Sequence, residues 1–448
     1  MKKAPNRKRE RGIALLIAII SIAILTAVAV DFAYSSRVDL QLASNQRDEV
    51  RAYYLAKSGV GLSRLMLKFQ KQLDGMMGAI PGLDPSALSG LGLPPEVANQ
   101  VKGLLPGGGG GLNIQLWANA KIDCYMLQGL VASDDGKGTG TGSSSSKSPS
   151  SKKFGFDEEF PELGADMQKK SFGGFEGCFD AKITDEEKKF NLNKLDSGAL
   201  AGQKIVPSFL GVFGAKEYEF LYEKEDSNGV KVNPQDILVN LHDWIDADNV
   251  QATLNLSGTG DPFPPGFSDE NYGYDKYNPR YKPKNSYFDS VDEIYLVHGV
   301  NDRWMAAFGD NLTVYPDINS KQTLDLDSPQ NILAAVLAIQ DPLHPDPRLR
   351  DPIFVDQLIQ KIQLANSMAS MLPGMKMTVS QFIAAVSAAG IQVPQGYTTN
   401  AAVQSPLSDK SSTFRIESTG TAGLVTKKII AVVRADQNLG KLVYWREE

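Results

Sequence analysis

The chain has 448 residues, with 46 basic and 52 acidic side chains and a formal charge of −6. Residues 1–12 carry six bases against one acid, so the remainder stands at −11. That balance argues against nucleic-acid binding through bulk electrostatics, and the length implies two or three folded units rather than one small domain.

The basic leader ends in Arg11-Gly12, and Ile13 to Val30 follows as eighteen uncharged residues. A helix of that length rises about 27 Å, close to the hydrocarbon thickness of a bilayer. The flanking positive charge keeps the N-terminus cytoplasmic. A secretory signal would be cut after its apolar stretch, at small residues. Here the run ends in Asp31-Phe32-Ala33-Tyr34, and no proline occurs between Pro5 and Pro81. One long helix is predicted over residues 13–73, apolar all round in its first half. Its second half is striped by Leu55, Leu62, Leu65, Phe69 and Leu73.

Residues 74–111 are rich in Gly and Pro, ending in Gly107 to Gly111, and read as a flexible insertion. Residues 112–196 have strand character, interrupted by low-complexity sequence at 134–153. Cys178 to Thr184 and Lys189 to Leu195 are expected to form a strand pair about an acidic turn, Asp185-Glu186-Glu187. Glu158 and Glu159 read as a solvated face. Residues 197–312 are mainly helical in pattern, and 313–410 are mixed, with a helix started by Ser328-Pro329 and others from Asp351 to Gly390. Residues 411–448 return to strand alternation, as in Phe414, Ile416 and Ser418. The fold class is therefore α+β, a sheet interrupted by a mainly α insertion.

Several segments in order along the chain carry a family resemblance. They are the leader with Gly12, Asp31-Phe32-Ala33-Tyr34, and Tyr53-Tyr54-Leu55-Ala56-Lys57-Ser58-Gly59. Next come Phe190-Asn191-Leu192-Asn193, Asp243-Trp244-Ile245-Asp246-Ala247-Asp248 and Asp292-Glu293-Ile294-Tyr295-Leu296-Val297-His298-Gly299-Val300. Last are Phe414-Arg415-Ile416-Glu417-Ser418-Thr419-Gly420 and Tyr444-Trp445-Arg446-Glu447. Together they resemble the K-type minor pseudopilins of the bacterial type II secretion system, the general secretion pathway protein K family. The resemblance implies a type IV pilin-like fold with a large, mainly α-helical insertion of SAM-like or helix-hairpin-like character. It also implies cleavage between Gly12 and Ile13 by a prepilin peptidase, which methylates the new N-terminus.

Most pilins have Glu as the fifth mature residue, where this chain has Ile17. That Glu is thought to neutralise the N-terminal amine of a neighbouring subunit inside the apolar bundle, where an unpaired charge is costly. A subunit without it suits the tip of a filament, and the K-type family shares the absence. The resemblance implies a single-pass inner-membrane protein with a periplasmic head that caps a pseudopilus. Its implied partners are the I-, J- and H-type minor pseudopilins, the major pseudopilin, the inner-membrane assembly platform and the peptidase. A minor pilin of a type IV pilus, or a membrane-anchored periplasmic binding or hydrolytic protein with an uncleaved anchor, are the alternatives.

Asp243, Asp246 and Asp248 place hard oxygen ligands within one turn and a loop, which suits Ca2+. Downstream Asp261, Asp269, Glu270, Asn285, Asp289 and Glu293 could be folded back to the same ion, and the set expected is Asp243, Asp246, Asp248, Glu270 and Glu293. The family resemblance also implies calcium in the insertion. The plainer reading has Asp243 and Asp246 capping a helix around Trp244, with Asp248 in the following turn. No EF-hand pattern is present. Cys124 and Cys178 are the only cysteines, either one disulfide in an oxidising compartment or two buried thiols. The three histidines lack zinc-ligand spacing to a second His or Cys, no nucleophile elbow occurs, and Gly107 to Gly111 lacks a phosphate-loop Lys. An enzyme is not expected.

Overall fold

The computed structural model describes residues 10–78, 113–119, 122–124, 171–172, 175–196, 198–223, 225, 229, 231–257, 259–369, 375–435 and 440–448. Residues 1–9 of the leader, 79–111 of the Gly/Pro-rich segment, the low-complexity stretch 134–153, and Glu158 with Glu159 lie outside the described residues.

Helix α1 spans Glu10–Gly78 without interruption. Residues 14–43 are exposed along its whole circumference, and this stretch is the one helical segment among the described residues long and apolar enough to cross a membrane. The second half of α1 lies on a five-stranded antiparallel sheet made of β1 (Ile122–Asp123), β2 (Cys178–Asp185), β7 (Thr413–Ala422), β8 (Val425–Arg434) and β9 (Lys441–Glu447), in the order β9-β8-β7-β2-β1. The strand alternation expected for 413–422 holds, since Phe414, Ile416, Ser418, Gly420 and Ala422 all face inward and are buried.

The contact face of α1 keeps Leu55 and the half-buried Leu62 of the expected leucine stripe but not the rest of it. Ala52, Leu55, Ala56, Val60, Ser63 and Leu67 are buried against the sheet, whereas Leu65 and Phe69 remain exposed. Small residues win because helix and strand backbones approach closely. A methyl group on Gly420 would fall on the Ala52 carbonyl oxygen and the Ala56 amide nitrogen, and one on Gly59 would meet the Ser418 hydroxyl and the Phe179 ring. Gly420→Val should therefore destabilise the head by about 1–3 kcal/mol or more through overpacking. Gly61→Ala, whose added carbon meets nothing within 4 Å, should instead be neutral or stabilising by about 0.5–1 kcal/mol. Thermal unfolding of the two variants in detergent tests the pair, and equal shifts would contradict this packing.

The expected strand pair around residues 185–187 does not form. β2 pairs with β7, Asp185 standing opposite Phe414, while β3 (Phe190–Asn191) pairs in parallel with β6 (Leu312–Thr313). The chain does turn after Asp185, as expected, but all three acidic side chains are buried and hydrogen-bonded. Glu187 accepts from the Ser412 amide (3.1 Å), the Ser412 hydroxyl (2.5 Å) and the Thr413 hydroxyl (3.0 Å). Glu186 accepts from Arg415 (2.5 Å) and Lys189 (3.2 Å). Asp185 accepts from the Glu187 amide (2.8 Å) and from the Ser411 hydroxyl.

Everything between Glu187 and Ser411 is thus an insertion into the connection of two adjacent strands. Its first core runs from Phe190 to Tyr315, with β3, α2 (Ala199–Phe213), α3 (Pro234–Asp243), the hairpin β4 (Val250–Ala252) and β5 (Pro265–Asp269), α4 (Asp302–Phe308) and β6. Phe213 stacks on Trp304 at 5.6 Å and meets Phe308 edge-on at 4.7 Å. Asn193 ties this body together from inside, donating to the Phe288 and Val314 carbonyls and accepting from the Phe288 amide. A second core joins α5 (Pro329–Ile339), α6 (Pro352–Ala369) and α7 (Val379–Ala388). As expected, Ser328 caps α5 by accepting from the Asn331 amide, with Pro329 in the first turn.

The junction sits at the far end of α1. Lys410 donates to the Asp74 carbonyl (3.1 Å), whereas the β7–β8 turn at Gly423 lies against Asp48, nearer the apolar segment. Burial pushes the Asp185 carboxyl up to about 7, opposed by its Ser411 hydrogen bond. A raised folded value means that stability present below the unfolded value near 4 is lost as pH rises through about 7. Asp185→Asn should match the native chain near pH 4 and exceed it in stability by pH 8, on the order of 1.4 kcal/mol per unit of displacement. Denaturant titrations across that range check the slope, and parallel curves would refute it.

Candidate functional site: a buried carboxylate cluster in the insertion

Helix α3 begins with a capping box, in which the Asn233 side chain accepts from the Asp236 amide (2.8 Å) and Asp236 accepts from the Asn233 amide (3.1 Å). Pro234 sets the first turn. At the other end the chain tightens, with the Ile245 and Asp246 amides both donating to the His242 carbonyl (2.9 and 3.1 Å). Trp244 and Ile245 are buried, Trp244 lying parallel to Phe288 at 6.2 Å. With the apolar pair turned into the core, Asp243, Asp246 and Asp248 gather beside the β4–β5 hairpin.

That hairpin pairs Val250 with Asp269 and so returns Glu270 to the loop, its amide donating to the Asn249 carbonyl (3.4 Å). Carboxylate oxygens of Asp246, Asp248 and Glu270 all lie within 4.8 Å of one another. Asp248 accepts from the Val250 amide (2.7 Å), the turn role expected on the plainer reading, whereas Asp243 caps no helix and instead accepts from the Ala252 amide of β4 (3.1 Å). Glu270 has no such explanation. It is 5% exposed, and neither of its carboxylate oxygens has a hydrogen-bond donor among the described residues. Asp246 Oδ1 is likewise buried and unpartnered.

Burial, with the charges of Asp246, Asp243 and Asp248 added, pushes the Glu270 carboxyl up to about 8. Burial also raises Asp246 to about 6, against the pull of His242, and raises Asp243. Buried carboxylates short of donors are costly unless a positive charge compensates them. Three convergent carboxylates offer hard oxygen ligands, a donor set that fits Ca2+.

Of the residues expected to bind metal, Asp243, Asp246, Asp248 and Glu270 come together. Glu293 does not, because its oxygens are held by Lys284 (3.0 Å) and the Asp289 amide (3.2 Å). Asp289 also takes Lys284, Asp261 caps the Phe263 amide and Asp269 the Asn271 amide. Asn285 donates to the Asp248 carbonyl, closing the loop. The sequence reading set His242 aside for want of zinc-ligand spacing to a second His or Cys, yet its Nδ1 lies 3.4 Å from Asp246 Oδ2 and 3.6 Å from Asp243 Oδ1. Its position four residues before Asp246 on a helix end was the available signal.

Cys124 and Cys178 form a disulfide with Cα atoms 5.5 Å apart, tying the β1 segment to the start of β2. Gly12, Ile13 and Ile17 lie in the first turns of α1, and the Ile17 side chain is exposed.

Fold and site define a class: a membrane-length helix carrying an antiparallel sheet, with a helical insertion at its distal end that houses a candidate cation site. A comparison with solved structures aligns the chain with one chain of the GspK-GspI-GspJ complex from the enterotoxigenic Escherichia coli type 2 secretion system, at 14% identity and a TM-score of 0.39, covering 62% of this chain and 82% of that one. No protein-family model and no curated protein matches.

Proposed function

We propose that the chain is a K-type minor pseudopilin that caps the periplasmic pseudopilus of a type II secretion system. It would be anchored by residues 13–30 in the bacterial inner membrane after prepilin-peptidase cleavage between Gly12 and Ile13. The observation that carries this reading is the position of the insertion. It leaves the sheet after Glu187 and returns at Ser411, at the end of α1 remote from the apolar segment. Bulk placed there stands above the shared helix bundle and obstructs a further subunit, while the exposed face of residues 14–43 stays free for partner helices below. The absence of a carboxylate at Ile17 supports the same position. The function is structural, with no catalytic step.

Asp246, Asp248 and Glu270 would hold a calcium ion, whose charge offsets the buried carboxylates and fixes the α3–β5 junction. The chain's own residues orient it: Asp248 through the Val250 amide and the loop through Asn285. Because Asp185 and Phe414 are opposed in the sheet, residues 188–410 can be replaced by a short turn. That variant should still insert in the membrane and lose capping and secretion. A deletion that seeded pseudopili of normal number and length would overturn the proposal.

A further inference from the structure

Strand β9 closes one side of the sheet and leaves its own outer edge open. Glu448 exchanges two backbone hydrogen bonds with Lys428 (2.8 and 2.9 Å), and the register continues through the pairs Ile430–Arg446 and Val432–Tyr444. In an antiparallel ladder such bonded pairs alternate with unbonded ones, so the amides and carbonyls of Trp445 and Glu447 point away from β8. No backbone group among the described residues pairs with them. A bulge at Val443 confines the flat, pairable stretch to residues 444–447. Charge or Pro normally blunts such an edge, yet Leu442-Val443-Tyr444-Trp445 is uncharged, with Leu442 and Val443 exposed. Beside this edge, between the outer face of the sheet and the insertion, lies a cleft of about 380 Å3. Tyr444 and Arg446 of β9 form one wall, and Tyr295, Met305 and Tyr315 of the insertion form the other. Its guanidinium groups are already engaged, Arg446 with Asp292 (3.3 Å) and Arg415 with Glu186, so the surface left for a ligand is aromatic and apolar.

We propose that β9 and this cleft receive an extended segment of a different membrane-anchored subunit, which adds a strand to the sheet and seats a large apolar or aromatic side chain in the cleft. Strand addition uses both parts: open backbone groups supply affinity, and a pocket for alternate side chains supplies specificity. Chain direction excludes a second copy paired antiparallel through this edge. Gly440 accepts from Arg64 and Glu447 from Tyr53, so β9 runs back along α1 toward the apolar segment. A copy related by a two-fold axis through the ladder would carry its apolar segment at the opposite end, away from the membrane. Continuity with the free face of α1 favours a partner anchored in the same membrane. The Glu447 carboxylate takes both the Trp445 indole N–H (2.7 Å) and the Tyr53 hydroxyl (3.2 Å), and Val50 and Tyr54 of the same stretch of helix are exposed. A partner helix on that face brings its own head to the edge of β9. The inference rests on the pseudopilin reading for the class of partner.

The test uses the full chain in the membranes of its native host, with a photoreactive benzoylphenylalanine placed in turn at Leu442, Tyr295 and Leu40, all exposed. Mass spectrometry of the Leu442 and Tyr295 adducts should map both to one extended segment of one leader-processed subunit that has its own N-terminal membrane helix. Glu447→Pro removes an outward amide without costing β8 a hydrogen bond, and should reduce both adducts about tenfold. Glu447→Ala keeps that amide and should leave them, with the two variant heads melting at the same temperature. Adducts with a second copy, with a soluble secreted protein or within the chain itself would each overturn the proposal, as would equal loss in the two variants. The adducts are formed with Glu447 intact, so they decide the question even if Glu447→Pro misfolds. A partner helix captured at Leu40, with nothing captured at Leu442 and Tyr295, would remove this inference and leave the pseudopilin reading; no capture at Leu40 would count against that reading itself.

Discussion

Reduction of the Cys124–Cys178 disulfide, or its replacement by serines, is expected to lower the stability of the head by about 4 kcal/mol. The chain-entropy model assigns that value to a cross-link spanning 54 residues. Local structure offers little to replace it. β1 contributes two residues, Ile122 and Asp123, to the edge of the sheet, so its backbone hydrogen bonds alone hold the segment weakly. Losing that edge uncovers Trp117, Ile122 and Cys124, which pack in the core shared by α1 and the sheet, with Trp117 edge-on to Phe414 at 5.3 Å. Denaturant unfolding with and without reductant reads the difference. Coincident curves would mean that the edge is held without the covalent link.

The second large effect is expected from calcium at the proposed site. At a free concentration of 100 times Kd, a ligand that binds only the folded state stabilises it by about 2.7 kcal/mol. Asp246→Ala or Asp248→Ala should abolish that increment, so their melting temperatures fall below the native value in calcium and not in chelator. Glu270→Gln should go further. In chelator it removes a buried carboxylate that has no donor, and should equal or exceed the native chain in stability. In calcium it should be the less stable protein. That crossing of order distinguishes a ligand from a residue that merely packs, and equal shifts in both conditions would remove calcium from the site.

Much of the scaffold was legible because it depends on local pattern. The uncharged run from Ile13 to Val30 and the lack of proline until Pro81 specify a continuous helix, and the alternation of Phe414, Ile416 and Ser418 specifies a half-buried strand. Ser328-Pro329 announces a helix start by its own capping chemistry. The Asp243 to Asp248 run was visible as a cluster of carboxylates, since its members are neighbours in the chain.

Most of what failed in the reading depended on a partner remote in sequence, and the Glu293 expectation failed on a nearer one. Asp185, Glu186 and Glu187 read as an acidic turn, and nothing local shows that Ser411, Ser412 and Thr413 come back to hydrogen-bond them or that Arg415 pairs with Glu186. Leu65 and Phe69 fit the helical period, yet the sheet meets Ala52, Ala56 and Gly59 instead, because Gly420 admits the backbone only where side chains are small. Glu293 belonged to the expected ligand set by composition, and Lys284 holds it elsewhere. Glu270 and His242 acquire their setting only when the β4–β5 hairpin folds back on α3.

The sequence by itself determined the membrane-length helix, the strand-forming termini of the head, and which side chains could offer oxygen to a cation. These follow from periodicity, charge and ligand type, all local properties of the chain. Tertiary structure alone decided that the insertion emerges at the end of α1 remote from the apolar segment, that small residues make the helix–sheet contact, and that Glu270 and one oxygen of Asp246 are buried without donors. Those outcomes turn on close approach and desolvation between segments that lie tens to hundreds of residues apart.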